Sequence, residues 1–365
     1  MPDTVLRISP MMDFFKSVYQ NIVLDEPGSK VSSFTGAKEE YEALTGGVAL
    51  RDISDSGLLE LYGRESLEYL HRISTNSLID LPASGSQASV FTNEKGRIID
   101  RVRIVNLGEY LLLIGSPAYA GKLQSWINRY IIMEDIKVKN AFGGYSAFEL
   151  LGPQAESFLT LIFGSLADNL EFNSVKRIEA EGIKINILKV IEFNQKKFIL
   201  WGSVEEGINL LKHINTQDSV FDFRMAGEEA YKVFRVVKGI PAAPNEINDM
   251  YNPHETNLLE DVSFKKGCYI GQEVIARLDT YDKVQKSIAG LIFDEKAEVK
   301  DGFRLFNAGN EVGKVTTMAR SFHLEKEIAL SIISKNFSAP GIKLTAMDES
   351  GKEYSVTVCS LPLRK

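Results

Sequence analysis

The sequence predicts an α+β fold that ends in a small C-terminal β-barrel. Helical and strand patterns interleave without the regular βαβ rhythm of a doubly wound parallel sheet. Several strand candidates are joined by short turns that contain Gly or Asn, as at 106–108 and 194–195, and such turns favour antiparallel hairpins. After about Tyr281 only short strand patterns remain, which predicts a separate β-rich domain.

Two segments have apolar residues at helical spacing, and we expect both to cover a sheet as amphipathic helices. The apolar positions are Leu123, Trp126, Ile127, Tyr130 and Ile131 in the first segment, and Ala155, Phe158, Leu159 and Ile162 in the second. The second follows "LGP", which is typical of a helix start. Strands are predicted at 57–63, 97–105, 110–116, 185–193 and 196–202.

The domain boundary is predicted between 282 and 286, which divides the chain into 1–283 and 284–365. Beyond it, segments such as "KSIAGLIF" and "EIALSIIS" are separated by Gly, Asn and Asp turns. No long helical pattern interrupts them. A chain of 365 residues also exceeds the size at which a single core usually keeps growing.

Composition and charge exclude several functional classes. The chain has 42 basic and 49 acidic residues, a net charge of -7, with no long run of one sign. This balance argues against an extended nucleic-acid surface and leaves a local basic groove open, and no direct nucleic-acid partner is expected. No stretch approaches the roughly 20 apolar residues of a membrane span, and the N-terminus lacks the pattern of a signal peptide. A cytoplasmic protein without a membrane partner is expected.

Cysteine and histidine positions give no indication of a metal centre. Cys268 and Cys359 lie far apart in the sequence and share no CxxC or Cys/His cluster. The four histidines are scattered along the chain. We therefore predict neither a disulfide framework nor a metal site.

The stretch "SFKKGCYIGQEVIAR", Ser263 to Arg277, places Cys268 where a helix is predicted to begin. Gly267 permits a tight turn, and a helix N-terminus together with Lys265 and Lys266 favours a thiolate over a thiol. The sulfur would then be exposed, reactive and within the first helical turn. The alternative is that Cys268 is a small, inert buried residue, and local chemistry leaves both readings open.

The motif "FKKGCYIGQEVIAR" resembles the signature of the YgfZ-type folate-binding proteins, relatives of the T-protein (aminomethyltransferase) of the glycine cleavage system. "GVALRDISDSGLLELYG", "FTNEKGRIID", "LLGPQAESFL", "FRVVKGIP" and "NPHETNLLEDVSF" extend the resemblance over nearly the whole chain. It implies a three-domain T-protein-like ring, with interleaved antiparallel-sheet modules, a C-terminal β-barrel and a central channel that holds tetrahydrofolate or another reduced folate. It also implies a role in the assembly or repair of iron–sulfur proteins, including enzymes that modify tRNA.

The resemblance implies particular site residues. Asp100 corresponds to a T-protein carboxylate that assists aminomethyl transfer, although Arg101 replaces the second member of the usual pair. The alternative is that Asp100 is a surface-facing residue of a strand. Asp100 and Cys268 are the candidate catalytic residues, and the candidate folate-binding residues are Asn93, Asp100, Arg235, Lys266 and Tyr269. Val237 stands where the T-protein family has a glutamate that contacts the pterin, and it falls on an apolar stripe with Ala230, Val233 and Phe234.

Three functions stay open from the sequence. One is a folate-binding accessory protein that uses Cys268 in iron–sulfur maintenance and has iron–sulfur proteins as clients. Another is a folate-dependent aminomethyltransferase of the T-protein kind. A scaffold that binds partners through its barrel, and no folate, is the third. His254 and Glu255 of "NPHETN" either line the same site or belong to a capped loop, and the capped loop is favoured.

Overall fold

The computed structural model describes residues 7–117, 119–180, 182–216, 220–281 and 283–363. Within these ranges the α-helices are α1 Met12–Val18, α2 Ala37–Gly46, α3 Ser66–Ile73, α4 Ala120–Arg129, α5 Ala155–Phe163, α6 Val204–Thr216, α7 Glu228–Lys238 and α8 Gln272–Thr280. The strands of the first half are β1 Val23–Leu24, β2 Val31–Ser33, β3 Val48–Asp52, β4 Gly57–Tyr62, β5 Ser86–Thr92, β6 Ile98–Asn106, β7 Leu111–Gly115, β8 Lys137–Asn140 and β9 Ser146–Leu151. Those of the second half are β10 Val175–Ala180, β11 Ile183–Glu192, β12 Gln195–Gly202, β13 Phe223–Ala226, β14 Lys286–Phe293, β15 Arg304–Asn307, β16 Asn310–Arg320, β17 Glu327–Ser334, β18 Lys343–Met347 and β19 Glu353–Cys359.

The chain forms two compact units, and each contains more than one segment of the sequence. Unit 1 contains the described residues up to Leu70 together with Leu78–Ala88 and Val102–Tyr231. Unit 2 contains His71–Ser77, Ser89–Arg101 and the described residues from Lys232 onward. The tip of the β5–β6 hairpin therefore belongs to unit 2, which is the unit that holds the cysteine motif.

Unit 1 is built around a six-stranded sheet in the order β10-β11-β12-β9-β3-β13. Its neighbouring strands are antiparallel except for β3 and β13, which run parallel. One face packs with α1, α5 and α6 in a core that includes Phe148, Leu150 and Leu200. A second sheet has the order β5-β6-β7-β4-β8.

The other face of the six-stranded sheet is also buried. Residues on β9, β11 and β12, among them Leu188, Ile199 and Trp201, pack with Val105 of β6 and Leu112 of β7. Burial on both faces explains the short apolar runs within these strands, such as "FILW" at 198–201 of β12, since a half-exposed strand would alternate with polar residues throughout.

Unit 2 ends in a closed six-stranded antiparallel barrel, in the order β14-β17-β16-β15-β18-β19. Phe293, Phe303 and Tyr354 fill its interior with edge-to-face ring contacts at centroid distances of 5.7 to 6.4 Å. Closure pairs every barrel strand on both sides, so none of the six leaves an open edge.

The predicted α+β class and C-terminal barrel are confirmed. The two predicted helices correspond to α4 and α5, and the five predicted strands to β4, β6, β7, β11 and β12, with bounds that differ by at most three residues at either end. The first barrel strand begins at Lys286. The division into 1–283 and 284–365 stays a prediction, because the two units follow a different partition of the chain.

Candidate functional site

The cysteine motif forms an extended loop that leads into α8. Cys268 is exposed on this loop, as expected for an accessible thiol. The helix itself begins at Gln272, after Gly271, so the prediction that Cys268 lies in the first helical turn is wrong. Buried Tyr269 anchors the chain before it turns. Only at Gly271, with a φ of 85° in the left-handed region, does it enter the helix.

Lys266 fixes the same loop from the other side. Its Nζ donates hydrogen bonds to the main-chain oxygens of His71, Ser74 (2.7 Å) and Asn76 (2.8 Å), at and after the C-terminal end of α3. The ammonium also lies 5.1 Å from the centre of the Tyr269 ring. Burial lowers the pKa of Lys266 to about 8. Because all three donors bind carbonyl oxygens, Lys266 positions the backbone of the motif.

The tip of the β5–β6 hairpin packs against the cysteine loop. The Oδ1 of Asn93 accepts the N–H groups of Lys95 and Arg97, both at 3.0 Å, which closes the hairpin turn. The hydroxyl of Thr92 donates to the carbonyl oxygen of Ile270 at 2.6 Å. A Cβ on Gly271 would lie 2.5 Å from the carbonyl oxygen of Asn93, so only glycine permits this approach.

Asp100 is completely buried on β6, and its Oδ1 accepts the backbone N–H of Arg101 at 2.8 Å. The side chain of Arg101 forms an ion pair with Asp261, with Nε 2.7 Å from Oδ2. Asp261 precedes the cysteine loop and was not among the predicted site residues. The segment that carries Asp100 is thus joined to the segment that carries Cys268 by a nearly buried ion pair.

Arg235 is placed differently from what its predicted folate contact requires. Its Nη1 lies 3.1 Å from the carboxylate of fully buried Glu246, and its Nη2 donates to the hydroxyl of Thr317 at 2.7 Å. Internal partners therefore hold this guanidinium. On the same helix Ala230, Val233 and Phe234 are buried as expected, whereas Val237 is only partly buried.

A cavity of about 370 Å³ lies within unit 2 beside these segments. Its lining residues are Lys95, Arg97, Asn252, Glu255, Glu273, Val274, Arg277, Leu278, Lys283, Val284 and Gln285. They come from the hairpin tip, the "NPHETN" loop, α8 and the segment before the barrel. The predicted site residues do not line it, but Lys95 and Arg97, which lie between Asn93 and Asp100 in the sequence, do.

The "NPHETN" loop is both capped and part of this cavity. The Oδ1 of Asn252 accepts the N–H groups of His254 and Glu255, at 3.0 and 3.2 Å. His254 bonds the carbonyl oxygen of Ile275 at 3.0 Å, and the Glu255 carboxylate accepts Arg97 Nη1 at 3.1 Å. Glu255 lines the cavity, whereas His254 connects the loop to α8.

Comparison with known families now identifies the class of protein. Residues 13–266 match the GCVT N-terminal domain, and residues 286–365 match the glycine cleavage T-protein C-terminal barrel domain. The chain therefore belongs to the glycine cleavage T-protein family.

Individual relatives agree with this assignment. The chain is 26% identical over 336 residues to an aminomethyltransferase of Geobacillus kaustophilus, covering 90% of each chain. It is 25% identical over 345 residues to an aminomethyltransferase of Halalkalibacterium halodurans, covering 93% of each. The crystal structure of glycine cleavage system aminomethyltransferase T from Bartonella henselae has the same fold, with a TM-score of 0.84, 18% identity and 98% of each chain covered. None of the helices in the described ranges is long and apolar enough to cross a membrane.

Proposed function

We propose that this protein binds a reduced folate and transfers a one-carbon unit in the manner of an aminomethyltransferase. The observation that carries the proposal is the family match over both the N-terminal region and the barrel. Relatives named aminomethyltransferase that align over nine-tenths of the chain support the same reaction class. Tetrahydrofolate, when bound, would supply the nitrogen atoms that accept the one-carbon unit.

Asp100 is the residue proposed to act in the transfer. Its carboxylate is completely buried, and charges interact more strongly in a water-poor environment than in solvent. A carboxylate in such a place would attract a cationic one-carbon intermediate or hold a proton during transfer. The neighbouring pair of Arg101 and Asp261 would keep this part of β6 in position.

The fit of a folate to the predicted contacts is incomplete at one end. The family resemblance assigns Asp100 to the reacting centre, and Asp100 does not line the cavity of unit 2. The Arg235 guanidinium is engaged by Glu246 and Thr317 and is a poor partner for the folate carboxylates. Asn93, Lys266 and Tyr269 remain proposed folate neighbours, although the polar groups of Asn93 and Lys266 are used by backbone groups. Other cations of unit 2 would have to receive the carboxylates.

Turnover of an aminomethyl donor with tetrahydrofolate tests the proposal. Asp100→Asn is expected to lower turnover by about 10²- to 10⁴-fold, the usual contribution of a positioned acid or base. Asp279→Asn, which changes an exposed aspartate of α8, is the matched control and should leave turnover unchanged. If the wild type binds tetrahydrofolate but never turns over, the transferase assignment is wrong and only folate binding stands.

The exposed Cys268 favours a second candidate function, that of a YgfZ-type accessory protein for iron–sulfur enzymes. An accessible thiol on a loop whose backbone is fixed by Lys266 is suited to exchange with a partner protein. Iron–sulfur enzyme activity, including tRNA modification, would be measured in cells that depend on this protein. Cys268→Ser should lower that activity, and Cys359→Ser should not. Full activity of the Cys268 variant would rule this candidate out.

A further inference from the structure

The cavity in unit 2 carries more positive than negative charge. Its cations are Lys95, Arg97, Arg277 and Lys283, and its acids are Glu255 and Glu273. Arg97 and Glu255 pair with each other, which leaves one carboxylate against three cations. Within the described ranges, no hydrogen bond or ion pair involves the side chains of Lys95, Arg277 or Glu273. Unpaired cations around a cavity favour an anionic ligand.

Unused hydrogen-bond donors also exceed acceptors in this cavity. Asn252 is only 6% exposed, and its Oδ1 is already bound to two backbone N–H groups, which fixes the orientation of the amide. Its Nδ2 makes no hydrogen bond to any described residue and is therefore available. Arg97 uses Nη1 for Glu255 and for the Met250 carbonyl oxygen, which leaves Nε and Nη2 available.

The shape of the lining restricts the kind of anion. Val274, Leu278 and Val284 form apolar parts of the wall, and the cations lie on the hairpin tip, on α8 and on the segment before the barrel. A compact phosphate is usually held by a nest of backbone N–H groups, whereas separated cations with apolar residues between them suit two carboxylates joined by methylene groups. A volume of about 370 Å³ accommodates a molecule of this size.

We propose that this cavity binds a dicarboxylate of glutamyl type, either as a free molecule or as the glutamyl end of a folate. The second source rests on the proposed function. It would give the folate carboxylates a site on the hairpin that carries Asp100, three residues after Arg97. It would also explain how folate could be held while Arg235 is bound to Glu246.

Calorimetry with four probes tests the proposal: glutarate, inorganic phosphate, 5-formyltetrahydrofolate and 5-formyltetrahydropteroate, which lacks the glutamyl unit. Each is titrated into the wild type, into Arg277→Gln/Lys283→Gln, and into Lys326→Gln. Lys326 is an exposed barrel residue outside the cavity and serves as the charge control. Arg277 and Lys283 are both exposed, so the double variant should retain the fold, which circular dichroism checks.

Glutarate is expected to bind the wild type and the Lys326 variant, and to bind the double variant at least about tenfold more weakly, as the loss of two charge contacts implies. If the double variant also loses affinity for 5-formyltetrahydrofolate but keeps its affinity for 5-formyltetrahydropteroate, the cavity is assigned to the folate tail. If the double variant loses affinity for glutarate alone, the cavity is assigned to a free dicarboxylate.

Equal binding of glutarate to all three proteins, or no binding, overturns the proposal. Phosphate binding as tightly as glutarate overturns the dicarboxylate assignment. The proposed function fails separately, if neither folate probe binds the wild type while glutarate still does.

Discussion

The Nζ of Lys266 lies 2.7 Å from the carbonyl oxygen of Ser74, where it also binds the carbonyl oxygens of His71 and Asn76. A lysine that appears in the sequence as a positive charge near Cys268 thus holds the main chain of the cysteine loop. Lys265, one residue earlier, is exposed. We therefore expect the replacement of Lys266 and the replacement of Lys265 to affect stability differently.

Replacing Lys266 should destabilise the fold, and replacing Lys265 should not. At pH 9.5, where little of the buried side chain carries the charge that burial disfavours, Lys266→Met removes a hydrogen-bond donor from the carbonyl oxygens around it, and we expect a loss of about 1–3 kcal/mol in the free energy of unfolding. Lys265→Met should change it by less than about 0.5 kcal/mol, as is usual for exposed positions. Urea denaturation of the two variants measures both values. Equal effects would show that the hydrogen bonds of Lys266 contribute nothing specific.

The stability of the wild type should depend on pH through Lys266. Burial lowers the pKa of this lysine to about 8 from its ordinary value of 10.5, so between these values the unfolded chain binds more protons. Stability contributed by this group therefore rises with pH in that window. Burial raises the pKa of Tyr269 to about 12. Above pH 10 the unfolded chain therefore loses the tyrosine proton first, and the stability contributed by Tyr269 falls as the pH rises.

The pH effect is measured as the difference in unfolding free energy between the wild type and Lys266→Met from pH 7.5 to 9.5, below the range in which Tyr269 contributes. The difference should grow in favour of the wild type as the pH rises. Lys265→Met, measured in parallel, should show no such trend. A difference that is constant over this range would contradict the lowered pKa.

Much of the fold could be predicted from the sequence because it depends on local periodicity. Helices α4 and α5 and strands β11 and β12 each have a continuous pattern that is readable within one segment. The start of α8 could not be placed, because it depends on Gly271 fitting against Asn93, which is distant in the sequence. The local pattern therefore places Cys268 at a helix start, whereas Cys268 lies before α8 begins.

The site was less predictable, because its partners are brought together by tertiary structure. Arg235 is bound by Thr317 and Glu246, and Arg101 by Asp261, and no spacing rule connects these pairs. The cavity lining likewise comes from segments around residues 95, 252, 277 and 284. The detectable signal was that each of these segments lies within or next to a motif of the family resemblance.

Gly271 and Gly267 should respond differently to alanine. Gly271 has a φ of 85°, and a Cβ there would lie 2.5 Å from the Asn93 carbonyl oxygen, so Gly271→Ala should cost more than about 1 kcal/mol of unfolding free energy. Gly267 has no atom within 4 Å of such a Cβ, and Gly267→Ala should be nearly neutral. Thermal unfolding of the two variants measures the change in stability that each substitution causes. A neutral Gly271→Ala would mean that the hairpin tip moves freely away from the loop.

Arg235 should prove to be a structural residue when it is replaced. Arg235→Gln leaves the fully buried carboxylate of Glu246 without its cation, which typically costs about 3–5 kcal/mol. The double variant Arg235→Gln/Glu246→Gln removes both charges and should recover part of that loss. Chemical denaturation of the wild type and of these variants measures their free energies of unfolding. If instead Arg235→Gln keeps wild-type stability and loses folate affinity, Arg235 binds the ligand as the sequence predicts.

Cys268 should be alkylated well before Cys359. Cys268 is exposed, whereas Cys359 is partly buried on the last barrel strand, where burial and then the nearby charge of Asp294 raise the pKa of its thiol. A raised thiol pKa leaves less thiolate, and the thiolate is the nucleophile. Iodoacetamide at pH 7.5, followed by mass spectrometry of the two cysteine peptides over time, compares their rates within one sample. Urea-unfolded protein is the control and should remove most of the difference. If Cys268 reacts no faster than Cys359 in the folded protein, its thiol has no preferential reactivity, and the accessory function proposed for Cys268 loses its support.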